Sequence, residues 1–431
     1  MKKISFVTLG CKTNQFESAA MMEAARKEGY QVVSTGEAAD ICVINTCTVT
    51  ARTDAESRRL IRRALRQNPA ARIVVTGCYA QSAPDEIRTM PGVALIIGNT
   101  EKRELLHLLR KLGEEQQIKV ADISQVHKTG PLILETFAEH TRAFLQVQNG
   151  CDSRCSYCIV PHVRGPSRSV GLNDALEGIR TFARQGFQEV VLTGIHLGAF
   201  GLDLSPPSSL LELLSRADRE RIVPRLRLGS VEPTEISAEL IERIAAGPTI
   251  CPHLHIPLQS GEDGVLAAMN RPYTSGFFRE LVDKLTAAAP SLCLGTDIIA
   301  GFPGETEEAF ECGYHFLEEL PLAYFHVFPF SPRQGTPAAT MPDRVPAAVI
   351  KKRAEALRTL SSSKKRAYFE SFLGREVLVL IQEKRKDGNS KGLSRNYLSV
   401  SIPGHGTPVN TEVTVRITGI DKDQLLGVVV R

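Results

Sequence analysis

The sequence predicts an α/β protein in three parts. These are an N-terminal parallel-sheet α/β domain over residues 1–113, a central partial (β/α)6 barrel over 137–368 and a small C-terminal β-barrel over 371–431, with 114–136 as a linker. Three observations carry this. Apolar runs alternate with helical patterns in the first part, which argues for a parallel sheet covered on both faces. Six further strand-helix units follow, too few for a complete eight-stranded barrel. From Ser371 the pattern changes to short β runs separated by turn residues, as in small barrels that often bind RNA.

In the first part the expected strands are Ile4–Leu9, Ile41–Asn45, Ile73–Thr76 and Val93–Ile97, with helices near 15–28, 53–67, 84–90 and 101–111. Cys11, Cys47 and Cys78 each fall just past an expected strand end. If those strands are neighbours, three thiols converge at the sheet edge where α/β proteins bind ligands. Any one of them alone reads equally well as a buried cysteine; the shared register points to a metal site. Cys42 lies inside an apolar run and reads as core.

A connector with a turn at Gly130-Pro131 leads to the central part. Its strands are expected at Phe144–Gln148, Glu189–Thr193, Arg225–Leu228, Leu254–Pro257, Leu292–Ile299 and Tyr324–Pro329. After the first comes Cys151-Asp152-Ser153-Arg154-Cys155-Ser156-Tyr157-Cys158. Three thiolates within eight residues can hold three corners of a cubane iron-sulfur cluster, which normally takes four cysteines. The alternative is structural zinc, completed by Asp152 or His162, but neither is well spaced. The Cys-x3-Cys-x2-Cys spacing resembles the signature of radical S-adenosylmethionine (SAM) enzymes, and that resemblance implies SAM chelated at the open iron. Polar and small residues at the other strand ends suit a SAM pocket: Tyr157, Gly194, Ser230, Glu232, His255, Gln259 and Asp297. Singly, each reads as well as a turn or a satisfied core polar group.

The chain of 431 residues is 42% hydrophobic and 23% charged, with ten cysteines and no apolar stretch of membrane-spanning length. The first residues read as a strand rather than an export signal, so a cytoplasmic protein with reduced thiols is expected. The net charge of +4 is uneven. Residues 341–431 hold seventeen Lys/Arg and nine Asp/Glu, which is +8 and leaves −4 for the rest. A basic helix over Pro346–Phe369 and the barrel residues Lys384, Arg385, Lys386, Lys391 and Arg395 suit a polyanion, or simply solvate the surface.

Taken together, the three parts resemble the methylthiotransferase family over nearly the whole chain. Its pattern is an N-terminal three-cysteine domain, a radical SAM core and a C-terminal TRAM domain. Cys11, Cys47 and Cys78 match its auxiliary-cluster set, and Cys151, Cys155 and Cys158 its radical-cluster set. The resemblance implies two [4Fe-4S] clusters and SAM as cofactors. Leu9-Gly10-Cys11-Lys12-Thr13-Asn14-Gln15 and Asn45-Thr46-Cys47-Thr48-Val49-Thr50 are most similar to the MtaB branch. That branch methylthiolates N6-threonylcarbamoyladenosine at position 37 of tRNA. The MiaB branch, acting on isopentenyladenosine, and the RimO branch, acting on a ribosomal-protein aspartate, are the alternatives. The implied partners are a tRNA anticodon stem-loop, an electron donor such as flavodoxin or ferredoxin, and a sulfur donor. Outside the enzymes, an RNA-binding protein with structural metal sites is the rival.

Overall fold

The structure, a computed structural model, describes residues 1–127, 134, 141–404 and 406–430. The N-terminal sheet contains β1 (Lys3–Thr8), β2 (Gln31–Val33), β3 (Ile41–Thr46), β4 (Arg72–Gly77), β5 (Val93–Ile97) and β6 (Gln117–Lys119). All are parallel, in the order β2-β1-β3-β4-β5-β6. β3 is buried at every residue, as its apolar run requires of a strand covered on both faces. Residues 117–119, read from sequence as connector, pair with β5 as the sixth strand. Three residues are too few for a periodicity to show. The expected turn at Gly130-Pro131 lies outside the described residues.

Helix α1 (Lys12–Lys27) leaves directly after β1. Its Met21 and Ala25 pack into the sheet's core, whereas Phe16 and Ala20 pack into the core of the central domain. One helix therefore seals two cores.

The central domain contains β7 (Arg142–Gln146), the short pair β8 (Gln148–Asn149) and β9 (Arg168–Ser169), then β10 (Glu189–Thr193), β11 (Arg225–Leu228), β12 (His253–His255), β13 (Cys293–Ala300) and β14 (Tyr324–Pro329). Two parallel sheets, β11-β10-β7 and β12-β13-β14, are joined by the bridges Leu226↔Ile250 and Ser230↔His255. The result is the expected open barrel of six strands. No helix among the described residues is long and apolar enough to cross a membrane.

The helix Ala347–Glu370 runs from this barrel to the tail, burying Ala354, Leu357 and Leu360 in the first and Phe369 in the second. Several of its cations are already engaged. Arg353 pairs with Glu305 and Glu307, Lys364 donates to the Glu318 and Leu320 carbonyls, and Lys365 pairs with Asp423. The tail's charge is thus partly spent within the protein. The tail itself is a closed barrel of β15 (Glu376–Lys384), β16 (Ser390–Ser394), β17 (Ser399–Ile402), β18 (Glu412–Asp421) and β19 (Gln424–Val429), in the order β15-β16-β17-β19-β18.

The tail docks on the central barrel through buried charge. Glu189 accepts from Arg225 Nε and Arg227 Nε, both at 2.8 Å. Burial opposes its charge, but Arg227 and Arg225 hold its carboxyl well below the usual range. The same guanidiniums reach outward. Arg225 donates to the Leu393 carbonyl and pairs with Glu412, and Arg227 donates to the carbonyls of Ser394 and Arg395. Tyr397 from the tail stacks on His253 with ring centroids 4.1 Å apart.

Removing 371–431 would therefore strip two wholly buried arginines of four of their seven hydrogen bonds. Hydrogen bonds to a charged group contribute about 1.5–3 kcal/mol each. We expect amide hydrogen exchange in β10 and β11 to quicken in the truncated chain; unchanged protection there would show that the tail does not brace the barrel.

Candidate active site

Three cysteines end three consecutive strands. Cys11 follows β1 and caps α1, Cys47 follows β3, and Cys78 opens the helix Cys78–Ser82 after β4. Because β1, β3 and β4 adjoin, the thiols meet at one sheet edge. Glycine permits the approach at two of them. Gly10 has φ +97, and a Cβ there would lie 3.0 Å from Cys47 Cβ. At Gly77, also φ +97, a Cβ would lie 2.4 Å from the Thr46 carbonyl oxygen. Burial pushes the Cys47 thiol up to about 11, with Cys78 adding to the shift. Cys42 packs in the sheet's core, as its strand position predicts.

Cys151, Cys155 and Cys158 occupy the loop between β8 and the helix Val160–Arg164. Burial pushes Cys158 up to about 12. Arg271 Nη1 donates to Cys155 Sγ at 3.2 Å, and the same guanidinium pairs with Glu232. His196 Nδ1 lies 3.5 Å from Cys151 Sγ, and its Nε2 lies 2.6 Å from Glu235. Burial opposes charge on His196, but Cys151 and Glu235 raise its pKa to about 10.

Iron-sulfur clusters suit these residues. Thiols such as Cys47 and Cys158 are costly as free thiolates, whereas metal binding deprotonates them and nearby cations stabilise the product. Around a tetrahedral zinc with 2.3 Å bonds, sulfurs stand about 3.8 Å apart. Among the described residues, the group of ligand atoms lying within 4.8 Å of one another is His255, Asp297 and His326; neither cysteine set is drawn so tight. Thiols that each bind a different iron need no such clump. Asp152, the alternative zinc ligand, instead accepts from Ser167 N at 3.1 Å.

Cys11 of the first set and all three cysteines of the second line one cavity of about 420 Å³. Cys11, Val49 and Thr50 form one wall, and Cys151, Cys155, Tyr157 and Cys158 another. Glu232, Gln259, Arg271, Asp297 and residues 328–331 complete it. Of the residues expected at a SAM pocket, Tyr157, Glu232, Gln259 and Asp297 line this cavity. Gly194 does not; a Cβ there would meet Gln148 Oε1 at 2.9 Å, so close packing explains the glycine. Ser230 and His255, 3.0 Å apart, bond to each other instead. On the tail, Lys384 and Lys386 are exposed, Lys391 is half-buried, and Arg385 donates to Gln424. Arg395 donates to the Pro224 and Pro248 carbonyls and so belongs to the docking surface.

Arg164, which sequence reasoning passed over, ties the two sets together. It ends the helix that follows the second cysteine loop, yet its Nε donates to Cys78 Sγ at 3.2 Å. Its remaining nitrogens meet Glu17 and Asn14, and Glu17 also takes Lys102; Arg164, Glu17 and Lys102 are all buried. Burial opposes charge on Glu17, but Arg164 and Lys102 hold it down at about 2. Two cations against one carboxylate leave one positive charge over, and Arg164 presents it to the Cys78 sulfur. Cys78 also packs against Ile159 and Val163. Nearby, Arg333 bonds Thr48 at 2.7 Å and Asp54 at 2.6 Å, fastening the Cys47 loop to the barrel.

Breaking a buried ion pair by removing one partner costs about 3–5 kcal/mol. Arg164→Met should lose that much in denaturant unfolding of the iron-loaded chain, with Arg164→Lys losing less. A loss below about 1 kcal/mol, the scale of an exposed pair, would show that the network does not hold the domains together.

Two family models match the chain. Residues 3–98 match the family described as Uncharacterized protein family UPF0004, and residues 145–317 the Radical SAM superfamily. The Threonylcarbamoyladenosine tRNA methylthiotransferase MtaB of Bacillus subtilis (strain 168) is 38% identical over 97% of this chain and 94% of its own length. The MtaB of Thermotoga maritima is 35% identical over 99% and 97%. The tRNA-2-methylthio-N(6)-dimethylallyladenosine synthase of Desulfitobacterium hafniense is 32% identical over 99% and 97%. In fold, the chain is similar to the radical SAM methyltransferase TsrM from Kitasatospora setae, with a TM-score of 0.57 at 16% identity over 79% of this chain and 75% of that one. Relatives this similar along almost the whole length place the protein in the radical SAM methylthiotransferase family, beside its MtaB members.

Proposed function

We propose that this chain is a tRNA methylthiotransferase that converts N6-threonylcarbamoyladenosine at position 37 to its 2-methylthio derivative, using two SAM molecules. The observation that supports this most is the single cavity lined both by Cys11 and by Cys151, Cys155 and Cys158. Its cofactors are SAM and [4Fe-4S] clusters. In this reading Cys151, Cys155 and Cys158 hold the cluster that binds SAM, and Cys11, Cys47 and Cys78 hold the auxiliary cluster. When bound, these groups supply reductive SAM cleavage, hydrogen abstraction and methylated sulfur.

The chain's own work is placement. Tyr157, Glu232 and Gln259 line the SAM side, where Arg271 balances Glu232 against the Cys155 sulfur. Cys11 is the member of its set on the cavity wall, so that set faces whatever occupies the cavity. Val49 and Phe328 are apolar yet about half exposed, at 50% and 43%, and offer surfaces to a base that has left the anticodon-loop stack. The exposed Lys384 and Lys386 suit phosphates of the same stem-loop. A flavodoxin or ferredoxin as electron donor and a separate sulfur donor complete the scheme.

Anaerobically reconstituted protein should hold about eight irons, four per cubane. Replacing Cys151, Cys155 and Cys158 by Ala should leave about half of them in the remaining cubane. Full iron in cubane form in that variant would refute the ligand assignment.

The two cysteine sets should also separate by activity. The Cys11/Cys47/Cys78 triple Ala variant should still cleave SAM under reduction but yield no methylthiolated nucleoside. Nucleoside mass spectrometry of tRNA from a deletion strain should show loss of the 2-methylthio threonylcarbamoyl nucleoside. Loss of the isopentenyl counterpart instead, or of a modified ribosomal-protein aspartate, would reassign the substrate.

A further inference from the structure

Inside the barrel lies a group of polar residues that neither cysteine set uses. His255 on β12, Asp297 on β13 and His326 on β14 stand on adjacent strands, with Asp297 and His326 directly paired in register. One nitrogen or oxygen of each lies within 4.8 Å of the others. His255 Nε2 and Asp297 Oδ1 are 3.1 Å apart but not aligned for a hydrogen bond, and both atoms are buried without another partner. Two residues along β12, His253 is only 3% exposed, and its Nδ1 has no partner either. Buried polar atoms are almost always hydrogen-bonded, so three such atoms without a hydrogen bond on two adjacent strands point to a missing ligand. Asp297 belongs both to this group and to the wall of the shared cavity, so the group opens into the cavity.

One more residue bears on this group through its charge. Lys12 is the first residue of α1, next to Cys11, and α1 closes the barrel beside β7. Lys12 is partly buried, and among the described residues it has no hydrogen-bond or ion-pair partner. Burial is what chiefly lowers the pKa of His253 and His326, and the charge of Lys12 adds to it. A bound metal ion would be repelled by that ammonium, whereas an anionic ligand would satisfy it. An isopentenyl group would offer none of these atoms a hydrogen-bond partner.

We propose that this lumen is the subsite for the N6 substituent of the target adenine, with Lys12 pairing with the threonine carboxylate and His255, Asp297 and His326 facing the urea and hydroxyl groups. The proposal rests on the threonylcarbamoyl reading of the substrate. It makes Lys12 a specificity residue, set one position from the cysteine that faces the cavity. Ser230 and His255 then serve the substrate side of the pocket rather than SAM.

The test uses reconstituted full-length protein and two synthetic anticodon stem-loops, one with N6-threonylcarbamoyladenosine at position 37 and one with its carboxylate converted to the primary amide. Wild-type protein should favour the acid by about tenfold or more in kcat/KM, since a site built around a polar group rejects the analogue lacking it. In Lys12→Met the preference should collapse toward unity, and Lys12→Arg should restore most of it. If Lys12→Met loads iron poorly, equilibrium binding of the two loops to iron-matched proteins reads the same ratio. A wild-type preference that survives Lys12→Met, or no preference in wild type, overturns the proposal. No methylthiolated product from the acid loop with wild-type protein would instead sink the substrate reading beneath it.

Discussion

The contact between Arg164 and Cys78 is the constraint that the other parts of this site obey. An arginine from the helix after one cysteine loop is buried against a cysteine of the other set. The distance between the two cysteine sets is therefore fixed by packing and charge rather than by a linker. Glu17 and Lys102 alone would be balanced, and Arg164 adds the extra cation that makes Cys78 welcome as a thiolate. In the proposed assignment, iron binding at Cys78 would remove a proton and leave a negative sulfur, which is the state this network favours. Under that assignment cluster occupancy and domain docking would be linked, each stabilising the other, as any ligand does that binds only one state.

A second buried carboxylate does comparable work at the opposite attachment. Glu189 sits between Arg225 and Arg227, and the spare donors of both arginines are taken up by carbonyls of the C-terminal barrel. Tyr397 then stacks on His253, whose strand also carries His255. The tail is therefore continuous with the floor of the polar lumen. A change in the tail that shifted Tyr397 would be felt two residues from the proposed substrate pocket. In the proposed function this would give RNA contacting the tail a physical route to the pocket, through one stacked ring rather than through a long chain of side chains.

Much of this architecture was legible in the sequence, because it depends on local periodicity. Strand-helix alternation places Cys11, Cys47 and Cys78 at strand ends, and neighbouring strands then bring the thiols together. The six strands of the barrel follow from the same signal. The missed features are long-range. Arg164 pairs with Glu17 across 147 positions, and Arg271 touches Cys155 across 116; nothing near either arginine marks it. β11, Arg-Leu-Arg-Leu, alternates like a strand with one wet face, yet it is buried throughout because the tail covers the polar side. The basic helix read from composition as a polyanion surface has several of its cations committed to protein acceptors. Charge counts locate cations but do not say which are free.

Lys12 shows where the two kinds of information meet. In the sequence it stands only as one residue of the motif around Cys11, at the start of a helix. What distinguishes it is that Cys11 beside it lines the cavity, while its own charge acts on the histidines of the barrel lumen. The register that delivers one residue to the reactive side therefore delivers the next to the recognition side. A shift of α1 by even one position would move both together, so chemistry and selectivity cannot drift apart through movement of that helix. They can separate only by substitution at Lys12 itself or on the facing strands. Relatives that act on an apolar substituent should then differ at those positions while keeping the cysteine. In such a chain an unpaired lysine facing an alkyl group would cost binding without helping the chemistry.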